Sequence, residues 1–167
     1  MYGENKQDEA ANTSSEFAKS VLESLSTPQK TLACRWLYDA RGSALFEAIT
    51  ELPEYYPTRT EIGILTRNSA LIADAVGDHA NIVEFGAGAG TKTRLLLDAL
   101  HAPQSYSAID ISADFLEQSM RALANDYPAI KVTPIVANFM SSSALIKTHR
   151  SGDNRVGFFP GSTIGNL

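Results

Sequence analysis

The sequence predicts an α/β fold, a parallel sheet with helices on both faces, and three observations carry that expectation. From residue 80 onward, strand-like apolar runs alternate with helix-like periodic stretches about every 25 residues. The first run, Ile82-Val83-Glu84-Phe85, breaks into alternating glycines, Gly86, Gly88 and Gly90, and then enters a helical pattern through Leu95, Leu96, Leu97 and Leu100. Finally, Glu84 to Gly90, Asp110, Asn138 and Gly161 to Asn166 all fall at the carboxyl ends of the expected strands, where open α/β sheets bind ligands.

Taken in order, residues 1–13 are small and polar and read as a loose, disordered terminus without the basic-then-apolar pattern of a signal peptide. Thr13-Ser14-Ser15-Glu16 offers a capping box for a helix with Phe17, Val21, Leu22 and Leu25 on one face. Arg41-Gly42-Ser43 reads as a turn and cap before a short helix over residues 44–49. Trp36, Leu37 and Tyr38 read as core or staple residues covering the sheet edge, with Tyr38 a candidate pocket aromatic. In Leu52-Pro53-Glu54-Tyr55-Tyr56-Pro57, two prolines impose an extended path and present Tyr55 and Tyr56 on a stiff connector. Thr58 and Glu61 then form a second capping box, opening a helix through Ile62, Leu65, Ile72 and Ala73 to Gly77. Strands are expected at 80–85, 105–110, 131–136 and 156–160, with helices at 91–100, 113–126 and 140–148.

Composition narrows the function classes. The 167 residues, 44% hydrophobic and 20% charged, fit one α/β domain with a substantial core. A net charge of −5 without a Lys/Arg cluster argues against nucleic acid or an anionic membrane as partner, and favours a small molecule. No apolar run approaches a membrane span. Cys34 is the sole cysteine, which excludes an intrachain disulfide and fits a reducing cytoplasm. His79, His101 and His149 lack ligand spacing, so no metal is assigned.

Three ligands compete for the glycine turn. A dinucleotide motif, G-x-G-x-x-G, needs a third glycine where the chain has Thr91, and the P-loop pattern G-x-x-x-x-G-K-[ST] fails at the same residue. Glu84, just below the turn, would also repel a triphosphate. S-Adenosylmethionine, with a sulfonium, an ammonium and one carboxylate, suits an acid there, and E-x-G-x-G-x-G is met at Glu84, Gly86, Gly88 and Gly90. Asp110 ends the next strand twenty residues beyond Gly90, where a ribose-binding acid is expected, although a helix-capping role is open to it as well.

KTLACRWLYDARGSALFEAI, LPEYYPTRTE, IVEFGAGAGTKTRLLLDAL, YSAIDIS and FFPGSTIGNL, with their spacing, closely resemble the histidine-specific S-adenosylmethionine-dependent methyltransferases, from about residue 20 to the last residue. Members of that family trimethylate the α-amino group of L-histidine to hercynine on the way to ergothioneine. The resemblance implies a class I methyltransferase (Rossmann-like) fold, incomplete at the carboxyl end. Residues 14–78 would then be a helical segment forming part of the substrate pocket, and 79–167 the first half of the cofactor-binding domain. By the same resemblance Gly86 and Lys92 contact the cofactor, Asp110 its ribose, and Asn138 with Phe139 its adenine. Tyr56 and Asn166 match histidine-binding positions, Tyr56 near the amino group and Asn166 near the carboxylate. Gly161 and Tyr38 fall to the same substrate side, and Tyr56 is the candidate catalytic residue. One departure stands out: the family usually has Asp at the position of Asn138, and an amide accepts a hydrogen bond without adding charge. Because the chain stops just past the fourth strand, leaving Val156, Phe158 and Phe159 on an open edge, it reads as the amino-terminal part of a larger enzyme, inactive alone. Two rivals remain at this point, a non-catalytic S-adenosylmethionine-binding or partner module and a P-loop-like nucleotide hydrolase.

Overall fold

A computed structural model describes residues 4–37, 39–88, 90–140, 154–161 and 163–166. The chain divides into two compact units, residues 1–39 and 40–167. In the first, helix α1 (Glu4–Ser26) starts well before the Thr13 capping box. Most of the stretch expected to be loose is therefore helical backbone, in keeping with the Glu, Lys, Gln and Ala residues that fill it. Trp36, in a 3₁₀ turn at Cys34–Leu37, packs edge-on against Phe17 of α1 with centroids 5.3 Å apart. Its indole N–H donates to Ser20 Oγ at 3.0 Å. Leu37, expected to be covered, is 62% exposed. Tyr38 lies outside the described residues.

The second unit opens with α2 (Ala40–Thr50), which takes Arg41, Gly42 and Ser43 into its first turn, where the sequence suggested a cap. Helix α3 (Tyr56–Arg67) starts two residues before Thr58, with Pro57 in its first turn, a position that needs no proline N–H. The Thr58–Glu61 capping box therefore does not form. What closes the preceding turn is Arg59, whose guanidinium donates to the carbonyls of Leu52 (2.8 Å), Pro53 (2.5 Å) and Tyr55 (3.3 Å). The single helix expected up to Gly77 is broken at Asn68, whose amide side chain and backbone N–H both donate to Ile64 O; α4 (Ser69–Val76) follows and ends at Gly77.

Four strands, β1 (Asn81–Phe85), β2 (Ser105–Asp110), β3 (Lys131–Val136) and β4 (Arg155–Phe158), form one parallel sheet in the order β3-β2-β1-β4. Helices α5 (Thr91–Ala99) and α6 (Ala113–Asp126) make the first two crossovers. Both lie on one face, where Leu96, Leu97, Leu116, Met120 and Leu123 bury Ile82, Tyr106 and Ala108 together with Ala73 of α4. On the other face sits a smaller cluster, Val83, Ile109 and Ile135, backed by Phe85, Ala137 and Phe139. The helix expected at 140–148 lies outside the described residues save for Met140, which is in a turn. No described helix is long and apolar enough to cross a membrane.

β4 is an outer strand, as expected, but its apolar residues are not bare. Val156 and Phe158 are partly buried against the core, and the Phe159 ring packs tilted against Phe85 and edge-on against Phe139, with centroids 5.6 and 5.4 Å apart. The chain order reverses between β1 and β4, and the carboxyl ends of the strands at such a switch point are where open α/β sheets bind ligands.

Candidate functional site

The turn after β1 lies at that switch point. Gly86 continues the sheet, donating its N–H to Ile109 O at 2.9 Å, and then leaves it with φ of +76°. Among the described residues, a Cβ built on Gly86 meets no atom beyond its chain neighbours within 4 Å, so the space they leave over its backbone is open to a ligand. Gly88 and Gly90 are also left-handed, at +51° and +74°. Gly90 caps α5, and there a Cβ would crowd Arg94 Nη1 at 3.1 Å. The first turn of α5 carries no acidic side chain, so its backbone N–H groups and positive end are uncompensated from within the helix.

Glu84 lies under this turn and is 1% exposed. Its Oε2 accepts two short hydrogen bonds, from Thr93 Oγ1 and from the Tyr106 hydroxyl, both at 2.6 Å. Burial pushes its carboxyl from the ordinary 4.5 up to about 7, against the two hydrogen bonds and the Lys92 charge, which pull it down, and with a small upward push from Asp110. The same burial, with Glu84 alongside, raises the Tyr106 hydroxyl far out of its usual range, so it remains a donor. Glu84 is thus a support beneath the turn rather than an acid on its rim. Thr93 and Tyr106, which hold it, were not picked out from the sequence. The signal available was chemical, since a carboxylate on a buried strand needs donors from the next helix and the next strand.

Asp110 ends β2, and its Oδ1 accepts the N–H of Ser112 at 3.0 Å. One carboxylate oxygen therefore shapes the turn before α6 without capping it, since the helix has Ser112 as N-cap and no side-chain cap bond, and among the described residues no other hydrogen-bond donor reaches the Asp110 side chain. Asn138 follows β3 and uses its Oδ1 to take the N–H of Met140 at 3.0 Å. Next to it, Phe139 meets Phe85 edge-on at 6.3 Å and completes a three-ring cluster with Phe159.

Lys92, in the first turn of α5, pairs with Glu61 of α3, Nζ to Oε2 at 2.6 Å. The other oxygen of Glu61 accepts the N–H of Gly161 at 2.5 Å, just beyond β4. The backbone N–H of Gly161, a residue that the resemblance put on the substrate side, is therefore taken by a protein carboxylate. Tyr56, the first residue of α3, is 67% exposed. Asn166 ends a 3₁₀ turn, Thr163–Asn166, and its side chain is not described. The sheet thus gathers Glu84, the glycines, Lys92, Asp110, Asn138 and Gly161 at one edge. A shallow groove of about 220 Å³ lies elsewhere, lined by Thr66, Ser69, Leu95, Asp98 and Ala99. It lacks the convergent glycines and carboxylates of the strand ends, so chemistry rather than hollowness locates the site.

Strand order, a glycine-rich first crossover and an acid closing the second strand define a Rossmann-like class I methyltransferase fold. The profile of the family described as "Histidine-specific methyltransferase, SAM-dependent" matches residues 17–167, and the chain belongs to that family. It is 40% identical over 163 residues to the histidine N-alpha-methyltransferase of Mycolicibacterium smegmatis, covering 95% of this chain and 49% of that one. The ergothioneine biosynthesis protein 1 of Neurospora crassa is 35% identical over 135 residues, 78% of this chain and 15% of the relative. A more distant relative is the 4-dimethylallyltryptophan N-methyltransferase easF of Claviceps purpurea, 29% identical over 106 residues, 62% of this chain and 31% of its own. The chain spans about half the length of the histidine N-alpha-methyltransferases it matches.

Proposed function

We propose that this chain binds S-adenosylmethionine across the Gly86–Gly90 turn, and that the whole protein methylates the α-amino group of L-histidine to give trimethylhistidine, in the cytoplasm. The observation that carries this is the open space over Gly86, with a buried acid below the turn and Asp110 at the next strand end. The fit is chemical as well as spatial. A ligand bearing a sulfonium and an ammonium draws on the Glu84 carboxylate, and Asp110, which commits one oxygen to Ser112, keeps acceptor capacity for ribose hydroxyls. Asn138 and Phe139 are proposed to hold the adenine, by an amide acceptor and an apolar ring, and Lys92 the cofactor carboxylate.

When bound, S-adenosylmethionine supplies an electrophilic methyl group on sulfur. The protein's part is then to align the acceptor, exclude water and take away a proton, since an amine attacks only when neutral. Tyr56 is proposed to orient that nitrogen and receive or relay its proton from the start of α3, where Pro57 and Arg59 stiffen the backbone around it. Tyr38 and the Gly161–Asn166 segment are proposed to complete the histidine side, with Asn166 on its carboxylate. On their own, these 167 residues are proposed to bind the cofactor without methylating histidine. The reading is tested by adding S-adenosylhomocysteine to ¹⁵N-labelled chain and following backbone amides. The largest shifts are expected at Gly86, Gly88, Gly90, Asp110 and Asn138; shifts confined to other elements would refute it.

A further inference from the structure

The acid of the failed capping box has another task. Glu61 sits one and a half turns into α3 and spends its two oxygens on two separate elements, Lys92 Nζ at 2.6 Å and the Gly161 N–H at 2.5 Å. Both side chains of the ion pair are less than a third exposed. Lysine is an unfavourable choice in the first turn of a helix, where the positive end of the macrodipole repels an ammonium, and Glu61 offsets that repulsion. At the other oxygen, Gly161 has φ of +86°, and a Cβ there would lie in ordinary contact with Lys92 Nζ at 3.5 Å, so the backbone after β4 passes beside the ion pair. Surface pairing alone would not require a backbone amide as a third partner.

We propose that Glu61 is a positioning residue that ties the segment leaving β4, Gly161 to Asn166, to Lys92 beside the glycine turn. Charge at the cofactor end is then felt at the segment assigned to the acceptor. A ligand carboxylate arriving at Lys92 shares the ammonium with Glu61, and any movement of Glu61 is passed to the Gly161 amide by a single hydrogen bond. The Lys92 limb rests on the cofactor reading given above; the Gly161 limb does not.

The test is the amide resonance of Gly161 in the ¹⁵N-labelled chain. In the parent protein it is expected downfield and slow to exchange with solvent. Glu61→Gln, whose amide oxygen still accepts, should keep that signature, and Glu61→Ala should lose it. Saturating S-adenosylhomocysteine should shift Gly161 in the parent and leave it unmoved in Glu61→Ala, with affinity for the thioether about five- to tenfold weaker. If Glu61→Ala does not fold, Lys92→Met reads the same link, retaining the slow Gly161 amide while losing its response to saturating thioether. A Gly161 amide indifferent to Glu61→Ala, or responding equally to thioether without Glu61 or Lys92, would overturn the proposal. Failure of the parent to bind thioether, with the Gly161 amide still dependent on Glu61, would sink the cofactor reading and leave the tie itself standing.

Discussion

At the scale of single residues, Glu84 carries the electrostatics of the site, and it does so from below. Its carboxyl is raised from 4.5 to about 7, chiefly because it is buried. A folded-state value above the unfolded one means that the native protein binds the extra proton between those limits. The associated stabilisation is therefore full below pH about 4.5 and is lost as pH climbs through about 7. Glu84→Gln keeps an acceptor for Thr93 and Tyr106 and removes the ionisation. The variant should match the parent in thermal stability at pH 4.5 and exceed it at pH 8, by up to roughly 3 kcal/mol. Scanning both proteins from pH 4.5 to 8 checks this, and parallel pH profiles would show that the Glu84 carboxyl titrates alike in the folded and unfolded protein. The extra stability should come with weaker affinity for S-adenosylmethionine at pH 8, because the attracting charge is gone.

At the scale of elements, the turn between β1 and α5 depends on backbone shapes that side chains disfavour. Gly90 both adopts φ of +74° and faces Arg94 at 3.1 Å, so Gly90→Ala combines backbone strain with a displaced guanidinium. A cost of about 1–3 kcal/mol is expected, read as a lower denaturation midpoint at unchanged slope. Gly165→Ala is the control, since among the described residues a Cβ there meets nothing within 4 Å and should change little. A Gly90→Ala protein as stable as the parent would mean that the turn relaxes out of its left-handed form. Helix α3 teaches a related lesson about reading sequence. Thr58 and Glu61 have capping-box spacing, but Pro57 already suits the first turn and Arg59 ties the chain entering the helix, so the box had nothing left to cap.

At the scale of the whole molecule, the elements from β1 onward were legible because strand and helix periods alternate cleanly there. Strands β2 and β3 and helix α6 fall on their expected residues. Their parallel pairing places the carboxyl ends of all four strands on one edge. Earlier in the chain local signals misled: Arg41-Gly42-Ser43 reads as a cap yet lies inside α2, and Asn68 interrupts a continuous apolar stripe. The candidate residues at the strand ends were legible as chemistry, whereas the contacts that position them were not. Glu61 meets Lys92 thirty-one residues away and Gly161 a hundred residues away, separations at which no spacing rule operates. The Phe85–Phe139–Phe159 cluster likewise joins the ends of three strands and exists only once the sheet is formed.

The central claim is that the glycine turn over Glu84 seats a positively charged methyl donor and not a polyphosphate. Calorimetric titration of this chain at pH 8 with S-adenosylmethionine and, separately, with Mg-ATP puts it most directly to the question. Saturable 1:1 binding of S-adenosylmethionine, with no heat from Mg-ATP, is the predicted result. Saturable binding of Mg-ATP with none of S-adenosylmethionine would contradict it.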